Sequence, residues 1–430
     1  MIQLQVAGVI AEYNPFHKGH GYHLKITRRL TGADCIISVL SGNFTQRGEP
    51  AIANKWARTR MALAEGVDIV LELPVVYATQ HAQGFASGAV QLLAATGVVD
   101  YLVFGSEHGK ISELEGLAHF LLGEGRDYQR KLRTYLNSGL PFPAARANSL
   151  MDIQRRGGIP GLEHLSSQQV YSLLRHPNNI LALEYLQALL RSQSNIRPIT
   201  IPRLGAGYHE ENIGKTMLAS ARAIRSALQA HDWRVKLPRV MPQKPWGILQ
   251  GEIDAGRAPI FLNSYQAQII NLIRRTPSSA LGQIAGIREG LENRLKRAAN
   301  SCGTIECLLA KVKTKRYTQA HLQRLLIHLL LNMTREDAKD FSPQSKPCYL
   351  RPLGFSPHGR QLLPAIKKKA SLPLVTRPAR HLGALICNSK RAARMWELET
   401  LATDLYVLAY PSHGERKGGQ DYTHPMVIIE

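Results

Sequence analysis

The sequence predicts an α/β fold built on a parallel β-sheet, and three observations support this. Within residues 5–107, short apolar runs rich in β-forming side chains alternate four times with segments of helical spacing, as in parallel sheets with helices on both faces. The chain has 430 residues, of which 44% are hydrophobic and 20% charged, so it can bury a large core and is not mainly disordered. No run of about 18 apolar residues occurs, so we expect no membrane span.

The elements of this sheet follow one another in order. Predicted strands span residues 5–11, 35–42, 68–74 and 100–107, and the helices between them span residues 21–32, 56–67 and 87–98. Ligands bind at the carboxyl ends of the strands in such Rossmann-like sheets. Polar segments lie at three of these ends, namely EYNPFHKGH, SGNFTQRGEP and GSEHG, and we therefore expect a binding site there.

The later part of the chain is predicted to be mostly helical. Residues 108–175 and 255–340 have helical spacing, a further strand is predicted within 196–209, and a helix within 218–230. A tail punctuated by prolines contains the strand candidates PLVTR, LGALICN and LYVLAYP. We therefore predict a parallel-sheet domain at residues 1–240, a helical domain at 241–345 and a small basic α/β region at 346–430.

The excess of positive charge lies outside the first strands and helices. Lys and Arg number 54 against 32 Asp and Glu, which gives a net charge of +22. Residues 1–120 carry 9 basic and 10 acidic side chains, whereas the rest of the chain carries 45 basic and 22 acidic ones. Such a field attracts polyanions, of which nucleic acid is the usual one. A generally basic surface is the alternative.

The cysteines and the N-terminal residues favour a reducing cytoplasm. The five cysteines are odd in number and include no CxxC pair, so neither a disulfide framework nor a zinc ribbon is expected. They are Cys35, Cys302, Cys307, Cys348 and Cys387. The first residues combine no basic stretch with a small-residue cleavage site, so no secretory signal is expected.

The first strand is followed by NPFHKGH, a motif that fits phosphate chemistry. Gly19 lets a ligand approach the backbone, and His17 and His20 share a face of the first helical turn. Free amides and the helix dipole attract phosphate there, and imidazoles can donate hydrogen bonds as charge develops on leaving pyrophosphate. An ordinary turn with a capping histidine is one alternative. Metal ligation that includes His23 is another, but no acidic or thiol partner completes a set, so we predict no metal site.

A second phosphate-binding element is predicted at SARAIR, residues 220–225. Ser220 can cap the helix that follows it. Arg225 lies one turn later, where a guanidinium can bind an anion through two hydrogen bonds. The alternative is a capped helix with a solvated arginine.

Sequence blocks over nearly the whole chain resemble one bacterial enzyme family. EYNPFHKGHGYH, SGNFTQRGEPAIANKWARTRMAL, GVDIVLELP, FGSE, HPNNILALEYLQAL and RLGAGYH occur in order within residues 9–209, followed by GIREGLENRL and KTKRYT. Together they resemble the bacterial tRNA(Met) cytidine acetate ligases of the HIGH-type nucleotidyltransferase superfamily, whose signature the HxGH element matches. SARAIR resembles the SSxxIR element of that superfamily, with Arg222 in place of a hydroxyl residue.

The resemblance implies a two-step ligase. Acetate reacts with ATP to give acetyl-adenylate and pyrophosphate, and the acetyl group then passes to N4 of the wobble cytidine in elongator tRNA(Met), which forms N4-acetylcytidine. We expect Mg²⁺ to bridge the phosphates, and no protein partner is implied. A small-molecule nucleotidyltransferase that adenylylates a cofactor precursor is the alternative, which the basic later part of the chain disfavours. A non-catalytic RNA-binding protein is a third, which the intact histidine motif disfavours.

The resemblance also implies which residues act. His17 and His20 are the expected catalytic residues, placed at the phosphates. The expected ATP site comprises Ile10, Ala11, Glu12, Tyr13, Asn14, Pro15, Phe16, His17, Lys18, Gly19, His20, Gly21, Tyr22, His23, Gly105, Asn178, Asn179, Arg203, Ser220 and Arg225. Asn178 and Asn179 are alternatives for one contact. For Glu12, a ligand to water or Mg²⁺ and a structural carboxylate both remain open.

A basic segment in the helical region is the candidate tRNA contact. Lys313, Lys315, Arg316 and Tyr317 precede the segment AHLQRLLIHLLL. Cations at a helix N-terminus oppose its dipole unless a phosphate lies there, and a tyrosine ring can stack on a base. We therefore predict tRNA binding, with a solvated run of charges as the alternative. Arg47, after the second strand, can reach phosphate or RNA, or is a surface arginine.

Overall fold

A computed structural model describes residues 4–123, 125–203, 219–230, 233–288, 290–315 and 317–430. The strands are β1 (Val6–Ala11), β2 (Cys35–Ser41), β3 (Ile69–Leu73), β4 (Tyr101–Ser106), β5 (Arg197–Pro202), β6 (Pro352–Phe355) and β7 (Val427–Ile428). The helices are α1 (Lys18–Thr31), α2 (Lys55–Ala64), α3 (Val75–Ala78), α4 (Ala82–Ala95), α5 (Ile111–Gly123), α6 (Arg126–Asn137), α7 (Phe142–Arg156), α8 (Ser167–Leu173), α9 (Pro177–Arg191), α10 (Ala221–Ala227), α11 (Trp233–Val240), α12 (Gln243–Asp254), α13 (Gln266–Arg275), α14 (Ser278–Leu281), α15 (Leu291–Asn300), α16 (Ile305–Val312), α17 (Gln319–Leu330), α18 (Arg335–Asp340), α19 (Pro357–Lys369), α20 (Pro378–Asn388), α21 (Lys390–Val407) and α22 (Gln420–Thr423). Short 3-10 helices occupy Leu262–Tyr265 and His413–Glu415.

The strands of the described residues form one sheet in the order β5-β4-β1-β2-β3-β6-β7. Strands β1 to β5 are mutually parallel, whereas β6 runs antiparallel to β3 and β7 parallel to β6. From β1 the chain adds β2 and β3 on one side and then crosses to add β4 and β5 on the other. The sheet therefore has a topological switch point between β1 and β4, which is where open α/β sheets bind ligands.

The alternation of side chains along the strands builds a core on each face of the sheet. In β2, Ile37 belongs to the core that includes Leu93 of α4, whereas its neighbour Ile36 belongs to the core that includes Leu24 of α1 and Met61 of α2. Successive strand residues point to opposite faces. Because both faces are covered by helices, β2 is buried along its whole length, as the continuous apolar run predicts.

The first four predicted strands and the alternation of strands and helices are confirmed. The fifth strand is also confirmed as β5, although the glycine loop predicted after it, at residues 204–209, lies outside the described residues. Residues 241–345 are helical from α12 to α18, as the spacing predicts. The described residues include no helix with the length and apolar content that crossing a bilayer requires.

The three strand predictions in the tail are wrong. LGALICN lies in α20 and LYVLAYP begins in the last turn of α21, while PLVTR contributes only an isolated bridge between Leu374 and Leu350. Short apolar runs do not distinguish strand from buried helix, and the buried residues of α21, such as Met395, Ala402 and Tyr406, line one side of a long helix. The tail supplies two other strands, of which β6 pairs with β3 and β7 pairs with β6, so the C-terminal region extends the main sheet. The domain boundaries stay a prediction.

The structure contains a disulfide that the sequence did not predict. Cys302, just after α15, and Cys307, in the first turn of α16, form a disulfide. Their Cα atoms lie 5.6 Å apart, a separation that suits a disulfide. The sequence did not predict this pair because no CxxC spacing is involved. Cys35, Cys348 and Cys387 are free.

Candidate functional site

A cavity of about 310 Å³ opens at the carboxyl ends of β1 and β4, at the topological switch point. Its walls come from the loops after β1 and β2, from the ends of β4 and β5, and from helices α1, α4, α9 and α10. The lining residues are Val9, Ile10, Ala11, Glu12, Tyr13, Asn14, His17, Gly19, His20, Tyr22, His23, Thr45, Gln46, Arg47, Glu49, Phe85, Phe104, Gly105, Asn178, Leu181, Tyr185, Ile201, Pro202, Arg203, Ser220, Ala221, Arg222 and Arg225.

Most of the residues predicted for the nucleotide site meet in this one cavity. Those that do not line it are Pro15, Phe16, Lys18, Gly21 and Asn179. Phe16 is fully buried beneath the loop, where its ring packs against that of His20. The ammonium group of Lys18 instead donates to the carbonyl oxygen of Arg239 at 2.7 Å. These residues shape or support the loop, and whether they contact a nucleotide stays a prediction.

His17 and His20 together cap the N-terminus of the first helix through their side chains. His17 is the N-cap of α1, and its Nδ1 accepts from the backbone N–H of Gly19 at 3.1 Å. Nδ1 of His20 accepts from the backbone N–H of His17 at 3.2 Å, which completes a capping box. The rings stack with their centroids 3.7 Å apart. Because each Nδ1 atom accepts a hydrogen bond from a backbone N–H, the proton of each neutral ring is on Nε2.

Burial and neighbouring cations keep these imidazoles neutral. Burial, and then the charges of Arg203 and Arg225, lower the pKa of His17 to about 3. The pKa of His20 also lies well below its ordinary value, again chiefly because of burial. A neutral ring with its proton on Nε2 can donate one hydrogen bond without bringing a mobile charge into the site. Both rings are therefore prepared as hydrogen-bond donors for an anion.

The third histidine of α1, His23, supplies a prediction about pH. Its Nε2 is buried with no hydrogen-bond partner among the described residues, and burial lowers its pKa from 6.5 to about 4. Between these two pH values the unfolded chain binds more protons at this position, so the free energy of unfolding falls as the pH falls. At pH 5 this penalty is about 2 kcal/mol relative to neutral pH.

We therefore expect His23→Asn to lessen the loss of stability between pH 7 and pH 5 by about 2 kcal/mol. Urea unfolding of both proteins at the two pH values measures the difference. The comparison uses only the change with pH, so a constant offset between the two proteins does not matter. An equal loss in both proteins would contradict a buried, neutral His23.

A helix from a later part of the chain closes the site beside the histidines. Ser220 caps α10, as predicted, by accepting from the N–H of Ala223 at 3.1 Å. Arg225 donates to the backbone carbonyl of Asn14 at 2.9 Å and lies 3.4 Å from the carboxylate of Glu49. This arginine joins the loop after β1 to the loop after β2. Its guanidinium is thereby held at the cavity wall, next to the capping box.

The opposite wall is built from β4, β5 and the start of α9. Gly105 lies in β4 next to Arg203, whose Cγ would be 3.5 Å from a Cβ at Gly105, so any side chain there would fill cavity space. Arg203 donates to Oδ1 of Asn178 at 3.4 Å. Asn179 is buried and accepts from the N–H of His108. Of the two asparagines, Asn178 lines the cavity, and which of them contacts ATP stays a prediction.

The sequence missed several residues of the cavity wall. Thr45, Gln46 and Glu49 belong to SGNFTQRGEP, the polar segment that follows β2. Their place at the carboxyl end of a predicted strand could have identified them as site residues. Phe85, Leu181 and Tyr185 lie on α4 and α9 at positions that local sequence cannot distinguish from ordinary core. They form an apolar wall together with Phe104, whose ring centroid lies 5.7 Å from that of Tyr185.

The candidate tRNA segment lies before α17, as predicted. Lys313 and Lys315 are exposed, and Arg316 lies outside the described residues. The ring of Tyr317 stacks on that of His321, with centroids 5.4 Å apart. Farther along α17, Gln323 donates to Glu49 at 3.3 Å and Arg324 donates to the carbonyl of Gln46 at 3.1 Å. The same helix therefore contacts the loop that lines the cavity.

Cation ligands are sparse at this site. The described part of the chain contains no group of three or more His, Cys, Asp or Glu side chains arranged to hold a metal ion. Glu49 already engages Arg225 and Gln323. Mg²⁺ commonly keeps several waters and binds through substrate phosphates, so a magnesium–nucleotide complex requires no dedicated set of protein ligands here.

A family model, curated relatives and a solved structure all match nearly the whole chain. The model of the HIGH nucleotidyl transferase family matches residues 4–421. The tRNA(Met) cytidine acetate ligase of Acetivibrio thermocellus is 42% identical over 99% of this chain and 100% of its own length, and that of Halothermothrix orenii is 38% identical over 99% of both. The crystal structure of Thermotoga maritima TmcAL bound with alpha-thio ATP superposes with a TM-score of 0.91 at 36% identity, covering 99% of this chain and 100% of that one.

Proposed function

The chain belongs to the HIGH nucleotidyltransferase family and, within it, to the tRNA(Met) cytidine acetate ligases, and on that basis we propose that it acetylates the wobble cytidine of elongator tRNA(Met) at N4. Acetate and ATP are the other substrates, and acetyl-adenylate is the intermediate. We propose the cytoplasm as the location, because ATP and tRNA meet there.

The observation that carries this proposal is the pair of stacked imidazoles in the capping box of α1. Each ring is neutral, presents its proton on Nε2, and lines a cavity that Arg225 also lines. This is an arrangement for a polyanion on which charge develops during reaction. It suits a triphosphate better than a metal or a covalent intermediate.

In the first step, an acetate oxygen attacks the α-phosphorus of ATP, and pyrophosphate leaves with the electron pair. His17 and His20 donate to the departing phosphates, and Arg225 offsets their growing charge. The groups are held by the protein before reaction, by the capping box and by the bond from Arg225 to the carbonyl of Asn14. Little reorganisation is therefore needed in the transition state. Mg²⁺, held mainly by the phosphates, would further neutralise their charge.

In the second step, the N4 amine of the cytidine attacks the acetyl carbonyl carbon, and AMP leaves. The base must reach the cavity from the anticodon loop, and unstacked loop bases are the usual targets of RNA-binding proteins. The apolar wall of Phe85, Phe104, Leu181 and Tyr185 can pack against a base. It also excludes water, which would otherwise hydrolyse the mixed anhydride.

We further propose that Lys313, Lys315, Arg316 and Tyr317 contact the tRNA. Neutralising the two described lysines, in the variant Lys313→Gln/Lys315→Gln, should weaken tRNA binding and lower the slope of log affinity against log salt by about 2. Filter binding over a series of salt concentrations measures the slope. The matched control, Lys339→Gln/Lys346→Gln, changes two exposed lysines elsewhere and should keep the parent slope. Equal slopes in all three proteins would contradict a role for this segment.

The function itself is tested by incubating the protein with ATP, labelled acetate and purified elongator tRNA(Met), followed by nucleoside analysis. We expect labelled N4-acetylcytidine, with no product when ATP or acetate is omitted. Omission of the tRNA should leave acetate-dependent exchange between ATP and pyrophosphate. If ATP were consumed only with another small-molecule acceptor, a small-molecule nucleotidyltransferase would replace this proposal.

A further inference from the structure

We propose that Glu12 accepts the proton that the cytidine N4 amine loses during acetyl transfer, so that this residue serves the second half-reaction. The inference rests on the proposed function and assigns a role that the phosphate-binding groups do not fill.

Glu12 is held rigidly at the end of β1. The buried guanidinium of Arg58 donates to the backbone carbonyl of Glu12 at 2.7 Å and also binds the carbonyls of Ser41, Gly42 and Ala53. The side-chain Oε1 of Glu12 accepts from the N–H of Gln46 at 2.7 Å. The carboxylate is therefore anchored from both the backbone and one oxygen, as a preorganised catalytic group requires.

The other carboxylate oxygen is available to a substrate. Glu12 lines the cavity, and the bond from Gln46 is the one hydrogen bond that the described residues make to its side chain. This differs from Glu49, the second carboxylate of the cavity, which engages both Arg225 and Gln323. Within the described walls, Glu12 is thus the carboxylate with an oxygen left to accept a proton.

The partner that we propose for this oxygen is an N–H donor of the second substrate. An ionised carboxylate repels both acetate and phosphate, so, apart from a cation bound with the nucleotide, the substrates of the first step offer it no partner. Adenine has an amine too, but Glu12 accepts from Gln46 of the loop after β2, and Arg225 of the proposed phosphate site donates to Asn14, two residues from Glu12, which favours the phosphate side of the cavity for Glu12. The cytidine N4 amine is the remaining donor, and a carboxylate is the usual acceptor for that group in protein–nucleic acid contacts.

The adjoining apolar wall supports the same assignment. Glu12 and Tyr185 line the same cavity, burial and then the charge of Glu12 raise the pKa of Tyr185, and Tyr185 belongs to the wall with Phe85, Phe104 and Leu181. A base that packs against this wall can direct its exocyclic amine to Glu12. The acetyl group, attached to the α-phosphate, would then lie between the amine and the phosphate-binding histidines.

The environment makes Glu12 a stronger base than an ordinary carboxylate. Burial raises its pKa, while the N–H of Gln46 and the charges of Arg47, Arg225 and Arg58 lower it, and burial prevails. A general base is most effective when its pKa approaches the working pH. The charges of Arg47, Arg225 and Arg58 oppose this effect and favour the ionised form, which is the form that accepts a proton.

The proposed step transfers the acetyl group from AMP to the cytidine and one proton from N4 to Glu12. A bond forms between N4 and the acetyl carbonyl carbon, and the bond from that carbon to the phosphate oxygen of AMP breaks. AMP leaves with the electron pair. The proton of N4 passes to the carboxylate of Glu12, which returns it to water when the products leave.

Glu12→Gln tests the assignment, because the amide keeps the shape and the acceptor oxygen for Gln46 but cannot accept a proton. Acetate-dependent exchange between ATP and pyrophosphate, measured without tRNA, should fall by a much smaller factor than acetyl transfer does, because Glu12 accepts no proton in the first step. Single-turnover acetyl transfer to tRNA(Met) should fall by about 100-fold, the lower end of what a general base contributes. The parent transfer rate should rise with pH along an acid limb, and the variant should lack that limb.

The control is Glu49→Gln, which must retain the acid limb whatever its rates. Equal losses of exchange and transfer in Glu12→Gln, unchanged transfer, or an acid limb that persists in that variant would each overturn the assignment while leaving the proposed function intact. A parent protein without acetate-dependent exchange, or without acetyl transfer to the tRNA, would instead overturn the proposed function and this assignment with it.

Discussion

Replacing His17 or His20 by alanine should lower acetate-dependent exchange between ATP and pyrophosphate by about 100- to 1,000-fold, the usual effect of removing one preorganised donor to a developing negative charge. Each imidazole presents an Nε2 proton to the cavity because its Nδ1 is occupied by a backbone N–H. Alanine removes that donor. Binding of tRNA should be largely unchanged, since the proposed tRNA segment lies elsewhere.

His17 also caps α1, so its substitution can lower activity through the lost hydrogen-bond donor or through a less stable helix. A second variant is needed to separate these two effects. Asparagine is a good N-cap residue but cannot reach as far as Nε2 of an imidazole. His17→Asn should therefore lose exchange activity as His17→Ala does, while His17→Ala alone should lose about 1 kcal/mol of stability through the missing cap. His119→Ala, at an exposed position on α5, is the control and should keep full activity. Substantial exchange in His17→Asn would contradict the role of Nε2.

Replacing Lys55 by methionine should lower the free energy of unfolding by about 3–5 kcal/mol, the typical cost of removing one partner from a buried ion pair. The Lys55 ammonium is fully buried, 2.7 Å from Glu72 of β3 and 2.6 Å from Asp421 of α22. Arg351 contacts the same two carboxylates at 2.8 and 2.7 Å. Without Lys55, two buried carboxylates would share a single cation, and the C-terminal segment would lose an ion pair with α2.

A fifth member of this cluster supplies the matched control. Burial, and then the charge of Glu72, raise the pKa of Glu399 well above its ordinary value, and its Oε2 accepts from the N–H of Val75 at 2.6 Å. This shift favours the protonated carboxyl, which resembles glutamine. Glu399 is also farther from the Lys55 ammonium, at 3.6 Å, than Glu72 and Asp421 are. Glu399→Gln should therefore cost clearly less than Lys55→Met, about 1 kcal/mol. Urea unfolding of both variants at pH 7 measures the contrast. Similar costs for the two would contradict a protonated Glu399, and a small cost for Lys55→Met would contradict the cluster's role.

The sequence could predict the parts of the fold and site whose signals are local. Strands β1 to β5 are short apolar runs bounded by turns, and the histidine motif and the Ser220 cap depend on spacing within a few residues. The switch point between β1 and β4 follows from the order of strands and helices, and it locates the cavity. These features need no knowledge of distant contacts.

The remainder depends on contacts between distant parts of the chain. Lys55 meets Asp421 across 366 residues, and Phe85 and Tyr185 reach the cavity from two helices whose own patterns indicate only core. Which of Asn178 and Asn179 lines the cavity depends on which side chain His108 engages. The tail helices were mistaken for strands because a short apolar run fits either structure, and only the packing of α21 distinguishes them.

The most direct test of the account is a crystal structure of this protein with a non-hydrolysable ATP analogue. We expect the triphosphate in the cavity between β1 and β4, with phosphate oxygens within hydrogen-bond distance of Nε2 of His17 and Nε2 of His20 and of the guanidinium of Arg225. An analogue bound elsewhere, or a cavity that stays closed to it at saturating concentration, would contradict the central claim that the capping box of α1 is a triphosphate site.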